Sequence, residues 1–122
     1  MLYFLANNVY VRFDDIKSIS LDKKNDKLKI IVESGHSHEC PNGKVLFGEL
    51  NNLMKIVSIK NYLRDYNKRP SELAKELSIT PPAIINLFKN NVISDRLLKL
   101  IGKKHPFALK DYERIFDHDD SL

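Results

Sequence analysis

Tryptophan is absent from this 122-residue chain, and cysteine, methionine and glycine are scarce: one Cys, two Met and four Gly. A single cysteine excludes an intrachain disulfide framework, so nothing argues for secretion. The scattered glycines form no phosphate-cradling loop. No carboxylate pair or Ser/His/Asp or Cys/His constellation stands out either, so an enzyme is not expected and no cofactor is implied. Long apolar runs are missing too. The N-terminal MLYFLANNVY holds only a few successive apolar residues with no positive segment ahead of them, and no stretch approaches a membrane span. The expectation is a soluble, cytoplasmic protein with no membrane partner, no internal repeat and no low-complexity tract.

What is present is charge, and it is segregated. Residues 1–54 carry seven Lys/Arg and seven Asp/Glu, residues 55–110 carry twelve and four, and residues 111–122 carry one and five, or 0, +8 and −4 within the overall +4. A surplus confined to one segment is the footprint of a surface that neutralises phosphates. A solvated lysine-rich face is the bland alternative, but the first half has the same Asn and Lys bias and is balanced.

Up to about Val32 the pattern is strand-like. Leu2-Tyr3-Phe4-Leu5 and Val9-Tyr10-Val11-Arg12-Phe13 are aromatic and β-branched runs separated by Ala6-Asn7-Asn8, and Val9, Val11 and Phe13 share a face. Strict alternation sets Ile16, Ser18 and Ser20 against Lys17, Ile19 and Leu21, before the charged turn Asp22–Asp26. Leu28, Ile30 and Val32 then line one side of the next strand. These runs predict a small antiparallel sheet with one covered face. His36, His38 and Cys40 also alternate, so an extended strand would project all three together as a tripod of metal ligands. The paired-ligand spacing of a zinc site is missing, and a polar edge strand closed by the turn Pro41-Asn42-Gly43 accounts for the same residues.

From Leu46 to about Tyr66 the period becomes helical, through Leu46, Leu50, Leu53, Met54, Val57, Tyr62 and Leu63. Gly48 and Asn51-Asn52 weaken the start of this helix, and Pro70 ends it, because the residue before a proline avoids helical geometry. Ser71 stands as N-cap of a short helix with Leu73, Ala74 and Leu77 on one face. After the break Ser78-Ile79-Thr80, Thr80 caps a second helix with Pro81 at its first position and Ile84, Leu87 and Phe88 inward. Ser94 caps a further helix from Asp95 to Ile101, closed by Gly102, and Ala108–Phe116 predicts a last one ahead of the acidic tail Asp117–Leu122.

The slots Ala74, Leu77, Ser78, Ile79, Ile84 and Leu87 resemble the helix-turn-helix of Cro and phage-repressor-type proteins over about residues 54–102. The family has a small residue, then apolar anchors at these spacings. It usually carries Gly where this chain has Ser78, which asks a residue with a Cβ to take the left-handed conformation or the turn to differ slightly. A small helical bundle that never touches DNA is the alternative for two amphipathic helices and a turn. The expected fold class is α+β: a small N-terminal antiparallel β-sheet followed by an all-α helix-turn-helix bundle. Its parts are a β region at 1–45 for dimerisation or sensing, a linking helix at 46–66, the helix-turn-helix at 67–104, and a C-terminal helix with acidic tail at 105–122.

With Ile84, Leu87 and Phe88 inward, Thr80, Pro81, Pro82, Ile85, Asn86 and Lys89 face outward. The resemblance implies that these residues enter the major groove of double-stranded DNA. Asn86 would then meet an adenine edge, Ile85 or Pro82 a thymine methyl, and Thr80 a base edge or phosphate. Lys89, Lys68 and Arg69 would neutralise phosphates. The implied function is a sequence-specific transcriptional regulator of phage or mobile-element origin, acting as a homodimer on a two-fold operator. The alternative is an interaction protein that docks on a host protein, such as a nuclease, through the Pro81-Pro82-Ile85 patch.

Overall fold

The computed structural model describes residues 2–5 and 9–116, with side chains from Val11 to Phe116. The expected turn at Ala6-Asn7-Asn8 and the acidic tail from Asp117 to Leu122 lie outside the described residues. The architecture is α+β: five short strands, then five helices. It divides into two units, Met1–Asn51 with Glu113–Leu122, and Asn52–Tyr112. The division falls inside two helices, between Asn51 and Asn52 and again between Tyr112 and Glu113.

In the first unit the strands form two ladders, where the sequence had suggested one sheet. β1 (Leu2–Leu5) pairs antiparallel with β2 (Val9–Arg12), and β3 (Ile16–Asp22), β4 (Lys27–Val32) and β5 (Ser37–Cys40) form an antiparallel sheet in sequence order. A 3-10 turn at Phe13–Asp15 separates the two, and Phe13 is buried within it. Simple alternation sets Ile16 on the face opposite Ile19. Both are buried, because a bulge at Lys17 shifts the register: Ile16 pairs with Val32 but Ser18 with Ile31. An extra residue in one strand inverts the phase of everything beyond it. The covered face therefore carries Ile16, Ile19, Leu28 and Ile30, joined by Cys40, which pairs with Leu28.

α1 (Gly43–Asp65) follows, starting three residues before the apolar stripe. Its first N–H groups have a distant partner. Gly43 N donates to the carbonyl of Asp26 and Lys44 N to its Oδ1, both at 2.8 Å, so the β3–β4 turn caps the helix. No helix among the described residues is long and apolar enough to cross a membrane.

In the second unit four successive residues of α1, Ile56, Val57, Ser58 and Ile59, are all buried. Four in a row cover most of the circumference, so the helix is enclosed there, and an enclosed helix has no polar stripe for periodicity to detect. Ser58 is accommodated by two hydrogen bonds. Its Oγ donates to the carbonyl of Ala108 at 2.8 Å and accepts from Tyr112 N at 3.3 Å. The hydroxyl thus stands between a carbonyl and the N–H four residues on, where the 3-10 turn Pro106–Leu109 gives way to α5 (Lys110–Phe116).

α1 stops for a reason other than Pro70. Asn67 takes φ +52°, with Asn67 N on the carbonyl of Arg64 and Lys68 N on that of Leu63, the two bonds of a left-handed helix stop. Pro70 instead opens α2 (Pro70–Glu76) at its first position, with Arg69 as N-cap, and Ser71 is an exposed residue of the first turn. Gly102 does not end α4 (Asp95–Lys104) either. A Cβ there would lie 3.3 Å from Leu109 Cδ1, so its smallness serves the approach of the 3-10 turn. The cap at Ser94 forms as expected, accepting from Leu97 N at 3.2 Å.

Candidate nucleic-acid interface

α2 and α3 (Pro81–Asn90) pack on one another across a tight turn. Leu73, Ala74, Leu77 and Ile84 join Ile59, Leu63, Ile101, Ala108 and Leu109 in one buried cluster, with Ile79 and Phe88 packed partly against it. Ala74 and Ile84 are fully buried, as the small and large members of the interlocked corner should be.

Ser78 takes the left-handed conformation, at φ +59°. Ser78 N donates to the carbonyl of Lys75 at 3.1 Å and Ile79 N to that of Ala74 at 3.0 Å, the paired bonds that close a helix at a left-handed residue. The geometry that usually draws glycine is thus present with a serine in it, at a steric cost of about 1 kcal/mol. Ser78→Gly should relieve that strain and gain about 0.5 kcal/mol net of glycine's greater unfolded-state entropy. Thermal unfolding checks it: the midpoint should rise by about 2 °C.

Of the predicted site residues, Thr80, Pro82, Ile85, Asn86 and Lys89 are exposed, as is Pro81, while Ile84 and Leu87 beneath them are buried. Thr80 is the N-cap residue in extended conformation, although its side chain accepts no capping bond. The face is built largely of uncharged groups, with Lys89 its single cation. At the far end Asn91 closes α3 at φ +54°, and its carbonyl accepts from Asn52 Nδ2 at 2.6 Å. Asn52 looked like a weak helix former in sequence; its use is to tie α1 to the end of α3.

Arg69 is exposed and has no carboxylate partner among the described residues, but Lys68 is engaged. Its Nζ lies 2.8 Å from both oxygens of Glu76, which also sits 3.3 Å from His105 Nε2, while His105 Nδ1 meets Tyr62 Oη at 3.0 Å. The hydrogen bond to Glu76 raises the Lys68 ammonium above its ordinary pKa, and the same bond lowers the Glu76 carboxyl. Lys68's charge is thereby matched internally. This string joins Tyr62 of α1, Lys68, Glu76 of α2 and His105 just past α4, residues that no local pattern in the chain pairs.

Of the alternating His36, His38 and Cys40, the last two share a face of β5 opposite Ile30 and Leu28, but the three do not converge. β5 begins at Ser37, leaving His36 exposed ahead of it, and the Cys40 side chain turns inward, where burial pushes its thiol pKa up. No group of three His, Cys, Asp or Glu among the described residues could hold a metal ion.

The unit that carries α2 and α3 holds twelve Lys/Arg and five Asp/Glu, net +7, against eight and eleven, net −3, for the other. Comparison with protein-family models, with curated proteins and with solved structures found no match to this chain.

Proposed function

We propose that the chain is a sequence-specific DNA-binding regulator of the Cro and phage-repressor type, placing α3 in the major groove. The observation that carries this reading is the phase of α3: Ile84 and Leu87 are buried while Thr80, Pro82, Ile85, Asn86 and Lys89 are all turned to solvent, on a unit of net charge +7. Asn86 offers a donor and an acceptor to an adenine edge, Ile85 and Pro82 offer apolar contact to thymine methyls, and Arg69 and Lys89 offer charge to phosphates. A face with one cation reads few bases tightly, so two copies on a two-fold site complete the function.

The test is a gel shift on the gene's own upstream region. Wild type should bind with affinity falling steeply in salt. Asn86→Ala should weaken binding by about 10-fold or more and relax the preference at one base, while Lys89→Ala should weaken it on all sequences and reduce the salt slope by about one. Wild-type binding by both variants would remove α3 from the groove. One observation favours a second reading: Pro81, Pro82 and Ile85 make the exposed start of α3 apolar, suited to docking on a protein such as a host nuclease. Absence of DNA binding, with capture of a protein lost in Ile85→Asp, would select it.

A further inference from the structure

A cavity of about 390 Å³ opens in the second unit, lined by Ser58, Tyr62 and Asp65 of α1 and Tyr66 just past its end, and by Phe107, Lys110 and Asp111. Ser58, Tyr62 and Asp65 of α1 and Tyr66, whose N donates to the Tyr62 carbonyl, recur at i, i+4, i+7 and i+8, so one face supplies about half the wall. Three of the lining residues are aromatic. Tyr66 is 57 % exposed and Phe107 66 %, a large apolar area to leave in water, and the Tyr62 and Tyr66 rings lie 4.7 Å apart at a tilt of 44°. Two of the lining residues are carboxylates, in a unit with only five acidic residues. The other three have structural tasks: Glu76 holds Lys68, Glu72 accepts from the backbone N of Arg69, and Asp95 lies in the first turn of α4. Asp65 faces only an exposed pair with its neighbour Arg64 at 3.4 Å, and Asp111 accepts from Asn61 Nδ2 at 3.1 Å, leaving further lone pairs on each.

Aromatic faces attract cations through the ring quadrupole, and carboxylates at the rim complete the complementarity. A planar guanidinium suits this set better than an ammonium, because it stacks on a ring while its forked N–H groups reach carboxylate oxygens. The geometry points to a recognition pocket for an arginine side chain of a protein partner, formed by Tyr62, Tyr66 and Phe107 with Asp65 and Asp111. None of these residues belongs to the exposed face of α3, so the inference does not depend on the DNA reading. Lys110 is the one basic group lining the pocket and opposes a cationic guest.

The probe is acetyl-arginine amide, titrated into the full chain and followed by NMR shifts of the Tyr66, Phe107 and Asp111 resonances, with sodium chloride matching ionic strength. Saturable shifts confined to the pocket are expected, with a dissociation constant on the order of millimolar for so small a fragment. Acetyl-citrulline amide, of the same shape without the charge, should not saturate. Asp111→Asn and Phe107→Ala should each weaken binding at least about 5-fold, and Lys110→Ala should strengthen it. Phe107 is exposed, so its removal leaves the core intact. Equal shifts with citrulline, shifts reproduced by sodium chloride, or unchanged affinity in both Asp111→Asn and Phe107→Ala would overturn the proposal.

Discussion

Replacing Gly43 by alanine should lower the thermal unfolding midpoint by roughly 10 °C, a loss of about 3 kcal/mol. A Cβ at this position would lie 2.5 Å from the carbonyl carbon of Lys27 and 2.7 Å from the backbone N of Leu28. Both atoms belong to β4, whose ladders to β3 and β5 hold it in place, so no flexible side chain can move aside. The start of α1 must therefore withdraw, and it cannot do so without stretching the Gly43 and Lys44 bonds to Asp26. Those bonds satisfy two of the orphan N–H groups of a 23-residue helix. Gly48→Ala is the control. A Cβ there meets nothing within 4 Å, and alanine is the better helix former, so this variant should gain about 0.5–1 kcal/mol. Chemical denaturation of both proteins checks the pair, and equal effects would show that the close approach to β4 does not exist.

Adjacent isoleucines provide the second large effect. Ile84→Ala should cost about 3–4 kcal/mol, because a fully buried side chain leaves a cavity among Leu73, Ala74 and Leu77 that a helical corner closes poorly. Ile85→Ala removes the same atoms one position on, from a side chain 51 % exposed, and should change stability by no more than about 0.5 kcal/mol. The contrast measures the rotation of α3 about its own axis. On the proposed function the two variants also separate in binding: Ile85→Ala weakens DNA affinity in a fully folded protein, whereas Ile84→Ala loses binding along with the fold. Equal destabilisation would mean that the outward face had been assigned one residue out of phase.

Much of the helical half was legible in the residues. The two-helix corner could be located because its apolar positions are short-range and regular, while Ser78 left open a left-handed residue or a different turn, and the structure shows the first, φ +59°. The β half was legible as strands but not as pairing. Nothing local in Ile16-Lys17-Ser18 announces a bulge; it arises because Ile16 and Ile19 must both reach the covered face. The stops and starts were the least legible. Proline at position 70 reads as an ending and is a beginning, while Asn67 supplies the left-handed residue that halts α1.

Of the candidate site, the exposed face of α3 followed from helical periodicity alone. Lys68 could not be sorted from Arg69 in this way, because adjacent cations differ only in what lies across from them, and Glu76 lies eight residues on. Nor was the aromatic pocket visible, since Tyr66 and Phe107 are 41 positions apart in the numbering and meet only through packing.

Composition, charge segregation and periodicity by themselves determined an α+β chain, the location of its paired short helices and the concentration of positive charge on that segment, because each of these depends on residues within a turn or two of one another. Tertiary structure alone decided which glycine is indispensable, which lysine is already paired, and that Cys40 turns inward beside Leu28. The physical reason is the same in each case: close approach, ion pairing and burial are properties of two segments at once, and no pattern along a single segment encodes its partner.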